Sequence, residues 1–274
     1  MIHYLDTSTL KGEINSLVKL SRTNNIYLSG YNLIELYSQI NEISFEKSLT
    51  LFKKIEGSYL KIDWRLPDDV LAKTYNLRFR FSKIKLIKNL FQNILSSNNY
   101  NEFKSKSKIE NLNYIDFYDK LFSPDNDKTQ SQENQFIAKA YEQVFLKSHK
   151  SDDYKKDLLS DEIIKILSER TSKSLLIYLL GPLTKTNKNI ETIDYYHNLY
   201  NGKLECFCYA FAYFKLLKYS EKNTIGRNDY NDLTHLVYLE NIKSKKYFLY
   251  NDKIYSNLGS NLNSKLKLFR EFPK

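Results

Sequence analysis

The sequence predicts an α/β fold: a parallel sheet covered by helices on both faces, three layers deep, with a long helical segment in its middle. Three observations predict it. Only seven glycines and four prolines punctuate 274 residues, so long helices must account for much of the chain. Strand-like apolar runs are few and lie near the two ends. Segments with helical apolar spacing follow those runs, and strands alternating with helices assemble into parallel sheets.

Taken in order, the first strand is expected at Ile2 to Leu5, which runs straight into Asp6 and the small polar triplet Thr7-Ser8-Thr9. A helix then begins near Ser8. The second strand is Asn25 to Leu28 (NIYL), followed by the helical run LIELYSQI, and a third is Leu60 to Trp64 (LKIDW). From about Leu77 to Tyr200 the pattern is a series of amphipathic helices rich in Lys, Asn and Ser. Polar breaks interrupt it at Ser123 to Asn134 and Gly181 to Asn189, neither long enough for an extended linker. LTHLVYLENI reads as a further helix, and Lys246 to Tyr250 (KYFLY) as the last strand. Residues 1–76 and 203–274 are therefore expected to form one α/β domain, with 77–202 a helical insertion packed on or beside it.

Composition sets outer bounds. With 42% hydrophobic and 27% charged residues, the chain is of ordinary globular type. No stretch approaches the roughly 18 uncharged apolar residues of a membrane helix, and the N-terminus lacks a basic segment followed by an apolar run. The expectation is a soluble cytoplasmic protein without membrane association. Cys206 and Cys208 are two apart in a helical stretch, which suits packing better than a disulfide, and two cysteines are too few for a zinc site. The net charge of +10 favours a polyanionic partner. Abundant Lys, Asn, Ile and Tyr are also the mark of an AT-rich genome, so charge alone leaves nucleic acid an open question.

Most acids fit solvated helix faces, but four groups do not. Asp6 ends the first strand, and in an open parallel sheet ligands bind just outside the carboxyl ends of the strands. Glu35 stands between Ile34 and Leu36 in the helix after the second strand, where an unpaired carboxylate is costly. Asp229 and Asp232 stand three apart near a helix start, on one face. Asp252 follows the last strand. Singly, Asp6, Asp229 and Asp232 could be helix caps and Asp252 a turn residue. Together they would converge on one crevice, where carboxylates repel one another unless a cation sits among them. Oxygen-only donors select Mg²⁺ or Mn²⁺, and such ions activate water and stabilise the leaving oxygen in an in-line attack on phosphorus. The chemistry this points to is phosphodiester hydrolysis.

These motifs, in this order, resemble the PIN-domain nucleases. YLDTSTL is similar to that family's opening strand and first acid, LSGYNLIELYSQI to its helix carrying a glutamate, NDYNDLTHLVYL to its third acidic helix start, and FLYNDKIY to its last strand and fourth acid. The resemblance spans about residues 1 to 70 and 203 to 274, while residues 77 to 200 have no counterpart in it. It implies a PIN-like sheet, a Mg²⁺- or Mn²⁺-dependent endonuclease, and Asp6, Glu35, Asp232 and Asp252 as catalytic metal ligands. The NDxxD pattern leaves Asp229 and Asp232 as two candidates for one position, with Asp232 favoured and Asp229 a neighbour able to bind through water.

Thr7 and Ser8 are then expected to hydrogen-bond the acids or bound water, or simply to start the helix. Arg227 is placed to meet a substrate phosphate, and His235 could reach the same helix face, though a lone histidine more often packs. The segment from Arg78 to Lys120 interleaves Arg and Lys with Phe79, Phe81, Phe91, Tyr100 and Phe103. That pattern suits either an RNA strand or an amphipathic helix with solvated lysines. The implied partner is nucleic acid, RNA ahead of DNA. The implied role is RNA processing, phage defence, or a toxin accompanied by a small protein antitoxin. A PIN-like scaffold that binds nucleic acid or protein without cutting is the alternative.

Overall fold

The computed structural model describes residues 1–77, 83–107, 127–145, 153–183, 190–199, 203–223, 225–241, 243–258, 262 and 264–272. Within them the chain is α/β, with a five-stranded, all-parallel sheet flanked by helices. The first half runs β1 (Ile2–Leu5), α1 (Thr7–Leu20), β2 (Ile26–Ser29), α2 (Gly30–Ser38), α3 (Phe45–Glu56), β3 (Lys61–Asp63) and α4 (Pro67–Thr74). The helical middle comprises α5 (Ile84–Leu95), α6 (Tyr100–Ser107), α7 (Asp127–Phe145), α8 (Tyr154–Leu158), α9 (Asp161–Leu183) and α10 (Ile190–Asn198). The chain returns through α11 (Glu205–Ser220), α12 (Arg227–Thr234), a 3₁₀ turn (His235–Leu239), β4 (Lys246–Tyr250), α13 (Lys253–Ser256) and β5 (Leu266–Leu268).

Sheet order is β3-β2-β1-β4-β5. The chain steps outward from β1 to β3 on one side, and its return places β4 and β5 on the other. β1 is therefore central, and the winding direction reverses between β1 and β4. In open parallel sheets that switch point, at the carboxyl ends of the strands, leaves a crevice between diverging connections.

Alternation along β1 sends its side chains to opposite faces. Tyr4, level with Tyr27 and Phe248, packs against Tyr27 at 5.7 Å and Tyr238 at 5.4 Å between ring centroids. His3 points to the other face, stacked on Tyr247 at 5.5 Å and met edge-on by Phe272 at 4.9 Å. Both its ring nitrogens are buried without a hydrogen-bond partner. Burial, then Lys267 and the terminal amine, push its pKa from 6.5 down to about 4. Between those values the unfolded chain binds a proton that the folded state refuses, so stability falls as pH drops from about 6.5 to about 4, by about 3 kcal/mol. His3→Phe is expected to flatten this acid limb in denaturant titrations across pH, while leaving stability near neutrality little changed.

The β2–α2 junction needs a glycine. A Cβ on Gly30 would lie 2.6 Å from the Arg65 carbonyl oxygen and 3.0 Å from that of Trp64, both backbone atoms that cannot swing away. Gly30→Ala must displace the connection after β3, and a loss of about 1–3 kcal/mol in a urea melt is the expected result.

The helical middle shares the main core. Ile87, Leu90, Phe91, Ile94, Phe103, Leu175 and Leu176 belong to the same buried cluster as the sheet residues. α9 packs along α11, whose opposite sides enter two clusters: Phe207, Phe211 and Phe214 in the main core, and Ala212 and Leu216 with Ile137, Ile163 and Leu167 in a second. Cys206 and Cys208 are both buried in the main core and form no disulfide among the described residues.

Several expectations need correction. The polar break at Ser123 to Asn134 is helical from Asp127 onward, in α7. Gln132, Asn134 and Gln135 are exposed there, and a solvent-facing helix turn needs no apolar period. The break at Gly181 to Asn189 starts inside α9, which runs to Leu183 and carries Pro182 in its last turn, where the lost amide costs one terminal hydrogen bond. LTHLVYLENI is not one helix: α12 ends at Thr234 and the fully buried His235–Leu239 tightens to 3₁₀ geometry. α12 starts at Arg227, so Asp229 lies in its first turn and Asp232 one turn on. β5 was not expected from the sequence at all. Of the basic segment, Arg78, Phe79, Arg80, Phe81, Lys108 and Lys120 lie outside the described residues.

Candidate active site

The crevice is built from the chain's local rules. Asp6 is the N-cap of α1 and accepts from the backbone of Ser8 at 3.1 Å and of Thr9 at 3.4 Å, and from the Ser8 hydroxyl. Its own amide donates to the Leu249 carbonyl at 3.0 Å, which fixes it beside the end of β4. Asp252, two residues past β4, is the N-cap of α13 and accepts from the Ile254 amide at 3.2 Å. The capping explanation thus holds for Asp6, while Asp252, expected as a turn residue, is a helix cap too, and the two carboxylates lie at the ends of adjacent central strands. Asp6 is 4% exposed and Asp252 is open to solvent.

Glu35 comes in from α2. Its Oε2 accepts from the Thr7 hydroxyl and meets His235 Nε2 at 2.9 Å. Asn32, fully buried, ties the neighbouring junctions together. Its side-chain NH₂ donates to the Leu5 carbonyl at 3.1 Å and Thr7 Oγ1 at 2.8 Å, and its Oδ1 accepts from the Ser29 amide at 2.8 Å and hydroxyl at 2.9 Å. One amide thus joins the ends of β1 and β2 to the first turns of α1 and α2.

Asp232 enters from α12, which is clipped to both neighbours. Tyr31 donates to Asn231 Oδ1 at 3.0 Å, and the buried Tyr255 hydroxyl donates to the Asp232 carbonyl at 2.7 Å. Burial, with Asp252, Asp6 and Glu35 adding like charge and His235 opposing them, raises the Asp232 carboxyl from 3.8 to about 7. Asp232 therefore feels the charge of the other three acids. Burial disfavours charge on His235, but Glu35, Asp6 and Asp232 outweigh it and its pKa is raised. Its Nδ1 is buried without a hydrogen-bond partner.

Asp229 is committed elsewhere: its carboxylate accepts from the Gly226 amide at 2.8 Å, as the third residue of a capping box, and lies 3.6 Å from Lys218 Nζ. Of the two α12 acids, Asp232 is the one that the charges of Asp252, Asp6 and Glu35 act on. His235, a candidate for the substrate but, as a lone histidine, expected more often to pack, is 2% exposed and hydrogen-bonds Glu35. Thr7 and Ser8 hydrogen-bond the acids. The Arg227 side chain lies outside the described residues.

A further strand-end acid, Asp63, was missed, although LKIDW shows it. Burial alone would raise its pKa, but Arg65, gripping it with two nitrogens at 2.8 and 2.5 Å, and Tyr4, donating at 2.8 Å, bring it below the usual carboxylate value. It is neutralised within the fold. Asn32, Tyr31 and Tyr255 were also not singled out. Only Asn32 had a local signal, three residues after Ser29 at a helix start.

The donor set is all oxygen at Asp6, Glu35, Asp232 and Asp252, which suits a hard divalent cation. With the side chains as they stand, no three Asp, Glu, His or Cys among the described residues are spaced to ligate one ion. No protein-family model, curated protein or solved structure matches this chain.

Proposed function

We propose that the chain is a PIN-like, Mg²⁺- or Mn²⁺-dependent endonuclease, acting on RNA in preference to DNA. The reading is supported by Asp6 and Asp252 capping helices at the ends of the adjacent strands β1 and β4, and by Asp232, raised to about 7 first by burial and then by the like charge of Asp252, Asp6 and Glu35. A cluster built for fold alone would gain by losing one of these carboxylates, because mutual repulsion costs stability. A divalent ion reverses that sign.

Asp6, Glu35, Asp232 and Asp252 would hold the ion, with Asp252 on the solvent side. Bound there, the ion would supply Lewis acidity toward a phosphate and lower the pKa of water. The chain's own residues prepare the acids. Ser8 and the α1 amides fix Asp6, Thr7 and His235 fix Glu35 from two sides, and Tyr255 fixes the α12 backbone at Asp232.

Mixed RNA and single-stranded DNA, incubated with Mn²⁺ or with EDTA, test this directly. Cleavage is expected with Mn²⁺ only, and Asp6→Asn is expected to reduce it at least about a hundredfold. Nucleic acid bound but uncut under every condition would leave a non-cleaving scaffold as the function.

A further inference from the structure

A groove of about 490 Å³ opens between α1, α2 and α3. Its floor is apolar, from Ile14, Leu36, Leu51 and Phe52, and its rim carries Lys11, Lys47 and Lys54 with no carboxylate among the lining residues. None of the three lysines forms an ion pair among the described residues. Lys11 reaches Gln39 Oε1, and Lys54 reaches Asn15 Oδ1 at 2.8 Å, both neutral acceptors, and the carboxylate that acts on Lys11 is Glu35, beyond the groove's lining.

The groove lies one helical turn from the acid cluster. Thr7 of α1 bonds Glu35 of α2, and one turn further along both helices Lys11 bonds Gln39. The basic rim therefore begins about 5.4 Å along the helix from the carboxylate. Lys47 and Lys54 lie two turns apart on α3, extending the row by about 10 Å. The volume is that of a small-ligand site, enough for a nucleotide or two and too small for a duplex.

We infer that this groove carries a single strand of nucleic acid toward the carboxylates, with phosphates on Lys11, Lys47 and Lys54 and a base or sugar over the apolar floor. The inference rests on the nuclease reading for what lies at the groove's end. An acidic peptide fits the lysines but would bring more carboxylates to a crevice that already holds four, whereas a phosphodiester brings the bond to be cut.

The test is fluorescence anisotropy of a labelled single-stranded RNA in EDTA, across a salt series. Lys47→Glu with Lys54→Glu is expected to weaken binding at least about tenfold. The gentler pair Lys47→Gln with Lys54→Gln should reduce the slope of log K against log salt by about 1.4, two phosphate contacts on a single strand. Lys19→Glu with Lys53→Glu makes the same charge change on exposed positions outside the groove and should leave affinity nearly intact. Equal weakening by both Glu pairs, or by neither, overturns the inference. So does a poly-glutamate peptide whose binding depends on Lys47 and Lys54 while that of RNA does not. Failure of the two readings is distinguishable: groove-dependent RNA binding without cleavage in Mn²⁺ removes only the nuclease. Undiminished Mn²⁺-dependent cleavage by the Lys47/Lys54 variants removes only the groove.

Discussion

Asp232→Asn is expected to make the protein more stable at pH 8 while abolishing metal-dependent cleavage. The sign follows from the carboxyl's shift from 3.8 to about 7. Between those values the folded state holds a proton that the unfolded state has released, so this group's contribution is favourable below about pH 4 and is lost as pH rises through 7. The full shift corresponds to about 4 kcal/mol, and because Asp232 is half-buried, solvent screening reduces it to about 2–3 kcal/mol. Asparagine keeps the volume and removes the charge. The stabilisation should therefore appear at pH 8 and largely vanish at pH 4 in denaturant melts. Mn²⁺ should likewise stabilise the native protein at pH 8, by about 2.7 kcal/mol when present at a hundred times its Kd, and do little for Asp232→Asn. A variant less stable than the native chain at pH 8 would mean that the acid cluster is not under electrostatic strain.

The second large effect is expected at Asn32. Replacing it by Leu leaves the Leu5 carbonyl, the Ser29 amide and the hydroxyls of Ser29 and Thr7 without their buried partner. Each stranded group costs about 1–3 kcal/mol, and allowing for local relaxation the loss should reach about 3–5 kcal/mol in a urea titration. Activity should fall further than unfolding accounts for, because Asn32 holds Thr7, which in turn holds Glu35. Asn32→Asp keeps the acceptor toward Ser29 and loses the donors toward Leu5 and Thr7. It should therefore recover only part of the stability, and a fully native melt for it would show that the Leu5 and Thr7 bonds contribute little.

How much of this was legible depends on the range of the interaction that decides it. β1 and β4 lie where IHYL and KYFLY predicted them, because a short apolar run buried on both faces is its own signal. β2 and β3 shift by one residue or shorten. β5 escaped because LKL carries no pattern of its own. It becomes a strand through its register with β4 and the bond from the Phe248 amide to the Lys265 carbonyl. The same division holds at the site. Asp6 and Asp252 could be read as acids at strand ends, and their capping bonds are local. The capping bond of Asp229 to Gly226 is local as well, but its approach to Lys218 could not be read, since a separate helix brings that lysine to it. Nor could His235, whose partner Glu35 is 200 residues away.

By itself, then, the sequence determined the α/β class, the two central strands and the carboxylates that end them, because strand periodicity and helix capping act over a few residues. Only the tertiary structure decided that Asp6 and Asp252 are neighbours, that Asp232 is the α12 acid their charges act on, and that three lysines from two helices line a groove beside Glu35. Those outcomes depend on sheet order and helix packing, in which residues far apart in the chain must meet before their charges act on one another.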